Sequence, residues 1–341
     1  MTNDGRDVVS FASNDYLGLS SHPKVLAAAH DAIDRWGAGS GASRLVSGSR
    51  PVHTQLEEAL ADWKSTEAAL VFPTGYAANL GVLSALGGPQ VLICSDDHNH
   101  ASIIDGCRLA RGLGARVEPF PHLSTGTVAD LLGAWDGRAV VVTDLVFSMD
   151  GDIAPVVALA EVCARHDALL VLDEAHAVLA PDVGDLPCEI LHVGTLSKTL
   201  GSLGGFVAGK RVMVEMLVNR CRPFIFTTAL APANAAAAKA ALAVLRSGEG
   251  QALLERLEGH ADRLRRPGTL RSPILPIVVG QERAALEASA ALLRQGIFVP
   301  GIRPPTVPPG RSRLRVTLSA AHTEDEVQLL AQALRRLGLW P

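Results

Sequence analysis

The chain has 341 residues, a net charge of −4, and 48% hydrophobic against 19% charged residues. That composition can bury a large core and excludes a disordered chain. With no long basic run, nucleic acid and anionic membrane are poor partners. The five cysteines are scattered with no CxxC pair, which argues against a disulfide framework and a zinc site and fits reduced thiols in a cytoplasmic protein.

The opening "MTNDGRDVVSFASNDYLGL" lacks a charged segment followed by an apolar core, so no signal peptide is expected. No apolar run reaches the roughly 18 residues of a membrane span. Residues 1–22 are expected to form an N-terminal arm. "GAGSGAS" (37–43) is glycine-rich but lacks the strand–GxGxxG–helix context of a dinucleotide site. "VHTQLEEALADWK" (52–64), "ASIIDGCRLARG" (101–112) and "VVALAEVCARH" (156–166) carry apolar residues at helical spacing. Between them, "AALVF" (68–72), "QVLIC" (90–94), "RAVVVTDLVF" (138–147), "ALLVLDE" (168–174) and "EILHVGT" (189–195) are near-continuously apolar, the pattern of buried parallel strands. This alternation predicts an α/β domain over 23–232, with a mainly parallel sheet, helices on both faces, and ligands at the carboxyl ends of the strands.

Beyond about residue 232 the texture changes. "ANAAAAKAALAVL" reads as a helix, "SPILPIVVG", "GIFVP" and "SRLRVTLS" as strands of a smaller sheet. The last helix opens on Thr323 and Glu326 in a capping-box spacing. Residues 233–341 are thus expected to form a smaller α+β domain.

Three strand ends carry polar groups that belong together. "LLVLDEAH" leaves Asp173 at the end of an apolar run with His176 just beyond, "HVGTLSK" leaves Thr195 and Lys198, and "LVFSMDGD" leaves Ser148. Pyridoxal phosphate needs such a set: a lysine for the Schiff base, a buried carboxylate to keep the pyridine nitrogen protonated, and a histidine or hydroxyl on the ring oxygen. "FPTGYAANLGVL" adds Thr74, Gly75 and Tyr76 at a strand-to-helix junction, where free N–H groups and the helix dipole suit a phosphate. Singly each residue has an ordinary reading: Asp173 as a helix cap, Lys198 as a surface residue, His176 as an interior histidine, His100 as a loop residue. Their order along the chain favours the cofactor.

"SFASNDYLGLSSHP", "GSGASRLVSGS", "FPTGYAAN", "DDHNHASIIDG", "VFSMDGD", "LDEAHAV", "GTLSKTLG", "FIFTTALAPA" and "IRPPTVPPGRSRLRVTLSAAH" run in the order of the α-oxoamine synthases, which the chain resembles from about residue 9 to its last helix. The resemblance implies a fold-type I pyridoxal-phosphate transferase of the aspartate aminotransferase kind. It implies that Lys198 links the cofactor and works as a base, Asp173 partners the pyridine nitrogen, His176 with Ser148 nearby bonds the ring oxygen, and His100 stacks on the ring. Gly75, Tyr76 and Thr195 would hold the phosphate, completed by Thr227 or Thr228 from a second copy, so that a homodimer is expected. Asn14, Thr306 and Arg315 would line the substrate end, where an arginine fork suits a carboxylate.

The stretch "IRPPTVP" with "RLR" favours the member that joins L-alanine to a pimeloyl thioester, carried on coenzyme A or acyl carrier protein. Sister synthases pairing glycine with acetyl- or succinyl-CoA, or serine with palmitoyl-CoA, share the cofactor motifs, and a non-catalytic paralogue would keep the fold alone. Two departures stand out: Ala177 replaces the usual glycine after "DEAH", and both "VLAPDVGDLPCEILHVG" (178–194) and the N-terminal arm look short for the family.

Overall fold

The computed structural model describes residues 2–3, 6–181, 184–265 and 271–340. The described residues form two compact units. The larger comprises residues 19–147 and 153–246, the smaller residues 1–18, 148–152 and 247–341. Residues expected in one N-terminal arm therefore divide between the units at Gly18/Leu19. The helix that opens the expected C-terminal domain lies in the larger unit.

The larger unit is built on a seven-stranded sheet: β1 (Ala68–Phe72), β2 (Val91–Asp96), β3 (Arg116–Phe120), β4 (Arg138–Asp144), β5 (Leu169–Asp173), β6 (Ile190–Thr195) and β7 (Gly205–Gly209). Their order across the sheet is β1-β7-β6-β5-β4-β2-β3. The five expected strands are all present. β3 and β7 were not among them: "RVEPF" is an edge strand broken by charge and proline, and "GFVAG" is framed by glycines. β7 runs antiparallel to both its neighbours, so β1 pairs only antiparallel while β2 to β6 pair in parallel.

The continuous apolar runs follow from helices packed on both faces. In β2, Val91 and Ile93 join one core with Leu83 and Ile103, while Leu92 and Cys94 join the other with Val128 and Leu159. The period-two alternation thus feeds two cores. Helices α1 (Pro23–Trp36), α2 (Pro51–Trp63), α3 (Gly75–Leu86), α4 (Ala101–Gly112), α5 (Thr125–Gly133), α6 (Val156–Arg165), α7 (Arg211–Arg220), α8 (Arg222–Ile225) and α9 (Pro232–Leu245) complete the unit. No helix among the described residues is long and apolar enough to cross a membrane.

The smaller unit holds β8 (Ile274–Gly280), β9 (Ile297–Phe298), β10 (Gly301–Ile302) and β11 (Ser312–Thr317), with α10 (Gly248–Arg263), α11 (Glu282–Arg294) and α12 (Glu324–Arg336). β11 pairs antiparallel with β8 and β10, and Val9–Ser10 pairs in parallel with β9. The capping box of α12 forms as expected: Glu326 N–H donates to Thr323 Oγ1 (3.2 Å) and Thr323 N–H to Glu326 Oε2 (2.7 Å).

Candidate active site

The carboxyl ends of β4, β5 and β6 lie side by side, and the registers bring Asp144 opposite Asp173 and Asp173 opposite Val193. A strand end is where backbone pairing stops and side chains with following N–H groups become available. Asp173 uses it fully. One carboxylate oxygen accepts from Ala175 N–H (2.9 Å), the other from Asn79 Nδ2 (2.6 Å). The residue is buried, 5% exposed.

Asn79, on α3, also donates from Nδ2 to Ser102 Oγ (3.0 Å). Ser102 in turn lies 2.7 Å from His100 Nδ1, and its N–H donates to the same nitrogen (3.2 Å), so that His100 caps α4. A chain of hydrogen bonds therefore runs from Asp173 through Asn79 and Ser102 to His100. His100 is itself exposed, and its ring meets that of Tyr76 edge-on at 6.3 Å. Loss of hydration on the imidazole's protein side pushes its pKa below the usual range; Asp173 opposes this and Lys198 adds to it.

Asp144 accepts from His100 N–H (2.8 Å), and its own N–H donates to Asn99 Oδ1 (2.9 Å). Burial, and then the neighbouring Asp173, push its carboxyl well above the usual carboxylate range.

The turn after β6 presents Lys198, whose Nζ lies 2.9 Å from His176 Nε2. His176 is 5% exposed and sits in the turn after β5. Two strand-end turns thus bring an amine and an imidazole together, as the spacing predicted.

The turn at Thr195 also meets the start of α3. A Cβ on Gly75 would lie 3.2 Å from Thr195 Cβ, and one on Gly205 would come within 2.6 Å of the Gly75 backbone. Only glycines permit that approach. Thr74 caps α3 by accepting from Ala77 N–H (3.0 Å). The N–H groups of Gly75 and Tyr76 belong to the first turn, which the helix itself does not satisfy. Their helix N-terminus, with the Thr195 and Ser197 hydroxyls 2.7 Å apart beside it, suits an anion.

Thr227 and Thr228 are exposed. Thr228 forms an antiparallel bridge with Ser43.

In the smaller unit Arg315 is buried. Its Nε donates to the Ser148 carbonyl (2.5 Å), Nη1 to Thr317 Oγ1 (2.8 Å), and both Nη atoms to Asn14 Oδ1 (3.3 Å each). Burial lowers the guanidinium's pKa, opposed by the nearby Tyr16. Asn14 and Arg315, expected to line the substrate end, are thus bonded to each other. Ser148, expected on the cofactor, belongs to this smaller unit, where its carbonyl is held by Arg315. Thr306 is exposed, and no hydrogen bond joins its side chain to Asn14 or Arg315.

Sequence reasoning missed Asn79, Ser102 and Asp144. Asn79 had a signal: an amide inside the apolar turns of "GYAANLGVLSAL" must be buried and needs a partner. It also missed Glu174, which is ion-paired to Lys64 and lies 2.7 Å from His192 Nδ1. Burial alone would raise its pKa, but Lys64 and then His192 outweigh it and bring the carboxyl down to about 2.

The family model for aminotransferase class I and II matches residues 6–334. The chain belongs to the class I and II aminotransferases. Within that family it is an α-oxoamine synthase: it is 49% identical over 98% of its length to a curated 8-amino-7-oxononanoate synthase from Methylobacterium sp. (strain 4-46), covering 88% of that protein. A Geobacter sulfurreducens protein of the same name is 46% identical over 98% of the chain and 90% of its own length. Among solved structures, serine palmitoyltransferase from Sphingomonas wittichii superposes with a TM-score of 0.90 at 32% identity, over 99% of this chain and 90% of that one. The 8-amino-7-oxononanoate synthase of Francisella tularensis gives 0.79 at 26%, over 97% and 98%. The fold is that of the fold-type I pyridoxal-phosphate transferases.

Proposed function

We propose that this chain binds pyridoxal 5′-phosphate and catalyses the decarboxylative condensation of L-alanine with a pimeloyl thioester, the 8-amino-7-oxononanoate synthase reaction. The observation that carries the chemistry is the amine of Lys198 at 2.9 Å from His176, on the same sheet edge as a buried, doubly hydrogen-bonded Asp173. The substrate assignment rests on near-full-length identity of 44–49% to proteins of that name. It is favoured over the serine palmitoyltransferase reaction because the structures of that enzyme share the fold at only 32% identity.

The residues fit the cofactor. The close Gly75–Gly205 approach sets the start of α3 beside Thr195, and the Gly75 and Tyr76 N–H groups with Thr195 and Ser197 would hold the phosphate there. Asn79 and the Ala175 N–H fix the two oxygens of Asp173, the buried carboxylate that would partner a pyridine nitrogen. Bound there, pyridoxal phosphate supplies an electron sink for the pair left at the amino acid's α-carbon and for the loss of carbon dioxide. Lys198 Nζ anchors the cofactor and, when released, takes the α-proton. His176 Nε2 holds that amine in place through its hydrogen bond. The His100 imidazole, whose pKa burial lowers, offers a flat face for stacking. Asn14 and Arg315 would receive the amino acid's carboxylate: the 3.3 Å bonds to Asn14 are long, and a carboxylate makes shorter, charge-assisted ones.

A homodimer is supported by Leu45, Val46 and Phe226, 53%, 80% and 68% exposed, on the segments that carry Ser43 and Thr228. Exposed apolar side chains grouped on neighbouring segments mark an interaction surface, and a second copy would bring Thr227 and Thr228 to its neighbour's phosphate. Five free cysteines, four of them buried, suit the cytoplasm.

The test is thiol release from pimeloyl-CoA and pimeloyl-acyl carrier protein by the cofactor-loaded protein with L-alanine, glycine or L-serine. Release with alanine, with the product mass of 8-amino-7-oxononanoate, is expected. Release only with serine or glycine would overturn the substrate assignment and keep the family.

A further inference from the structure

A second cluster of metal-ligating side chains lies in the larger unit, on residues that the proposed reaction does not use. Ligand atoms of Asp97, His98 and His122 all lie within 4.8 Å of one another. Asp97 and His98 occupy the turn from β2 to α4, and His122 the turn from β3 to α5. The scattered cysteines argued against a zinc site; this cluster runs against that expectation with ligands of another kind, no cysteine among them.

The cluster has a built anchor. His122 Nδ1 is held by Asp96 Oδ1 at 2.9 Å, and the Asp96 side chain is 1% exposed. Asp96 is itself fixed by His98 N–H on Oδ1 and Leu123 N–H on Oδ2, both at 2.9 Å. A carboxylate on one ring nitrogen orients the imidazole and raises its basicity as a ligand, as in carboxylate–histidine–metal triads. Phe147 packs edge-on against the His122 ring at 4.4 Å and holds its plane. The His98 ring lies over that of His122 at 4.0 Å, inclined by 22°. Asp97 Oδ1 is 3.9 Å from His98 Nε2.

We propose that Asp97, His98 and His122 bind one divalent transition cation of the zinc class, with Asp96 as the outer carboxylate. Two imidazoles and one carboxylate are ligands suited to zinc, nickel or cobalt rather than to magnesium or calcium. Ligands about 2.0–2.2 Å from one tetrahedral ion lie roughly 3.3 Å apart, so the cluster must tighten. The side chains of Asp97 and His98, 49% and 46% exposed, have the freedom to do so around the fixed His122. The ion would join the β2–α4 turn to the β3–α5 turn, and His100, the cap of α4, lies just beyond on the first of them. Its role is that of a staple on the loop that presents His100.

The experiment strips the pyridoxal-phosphate-loaded protein with EDTA, desalts it and titrates zinc sulfate by calorimetry, counting bound zinc per chain. One zinc per chain is expected. Tm should rise by about 4 °C at a hundredfold excess of zinc over its Kd. Asp97→Ala and His98→Ala, both surface changes, each weaken binding at least about tenfold and remove the rise in Tm. Asp96→Asn weakens it by about 10–100-fold, the usual effect of an outer-shell change. No stoichiometric zinc, or zinc affinity unchanged in either alanine variant, overturns the proposal.

Discussion

The sheet edge around Lys198 and the arginine of the smaller unit are both polar constructions, made in opposite ways. At the sheet edge, strands end and helices begin, so side chains and first-turn N–H groups have no regular partners and remain usable. Lys198 Nζ lies against the His176 imidazole, and Gly75 and Tyr76 stand in the first turn of α3. Arg315 instead sits within a strand, its guanidinium already engaged with Ser148, Thr317 and Asn14. The difference teaches that one site is prepared for its ligand, whereas the other must exchange an internal partner for one.

Substitutions can break that contrast, the largest effect first. Lys198→Ala removes anchor and base together, and single-turnover assays should show kcat reduced by at least about 10⁴-fold. Asp173→Asn keeps the shape but not the charge. The cofactor should remain bound while kcat falls roughly 10³-fold, and a retained rate would show that the carboxylate is not the pyridine's partner.

Arg315→Lys tests the exchange model. A lysine cannot reproduce the fork, so KM for alanine should rise about 10–100-fold with kcat changed less. A fall in kcat alone, with KM intact, would make Arg315 a purely structural residue.

The smallest effect concerns stability. The carboxyl of Glu174 is brought down from its ordinary value of 4.5 to about 2 in the folded chain, so its contribution is present above the unfolded value and lost as pH falls from about 4.5 to 2. That shift corresponds to roughly 3 kcal/mol at neutral pH. Urea titrations at pH 7 and pH 3 should show Glu174→Gln destabilised at both, with the gap at the second cut to roughly half or less of that at the first. An equal gap at both would assign its effect to packing instead of charge.

Much of this was legible in the sequence, for reasons the structure makes plain. Asp173, His176, Thr195 and Lys198 announce themselves because each follows an apolar strand, and strand ends of one sheet share an edge. The same logic failed for β3 and β7, where proline, charge and glycine interrupt the apolar run. It also failed for the partners that hold the site. Asn79 and Ser102 lie inside helices, and nothing local says that α3 and α4 pack so that Asn79 reaches Asp173. The unit boundary was obscured because Ser148–Asp152 leaves the larger unit for a few residues and returns. There Arg313 donates to the Met149 carbonyl (3.1 Å) and to Asp150, pairings too distant in sequence to foresee. The 178–194 segment, expected to be short for the family, includes Asp182 and Val183, which lie outside the described residues.

The central claim is that Lys198 carries the cofactor. The most direct test reduces the pyridoxal-phosphate-loaded protein with borohydride, digests it, and locates the modified lysine by mass spectrometry. The account predicts phosphopyridoxyl on Lys198, with Lys24, Lys64, Lys210 and Lys239 unmodified. Label on one of those four, or on none, would contradict it.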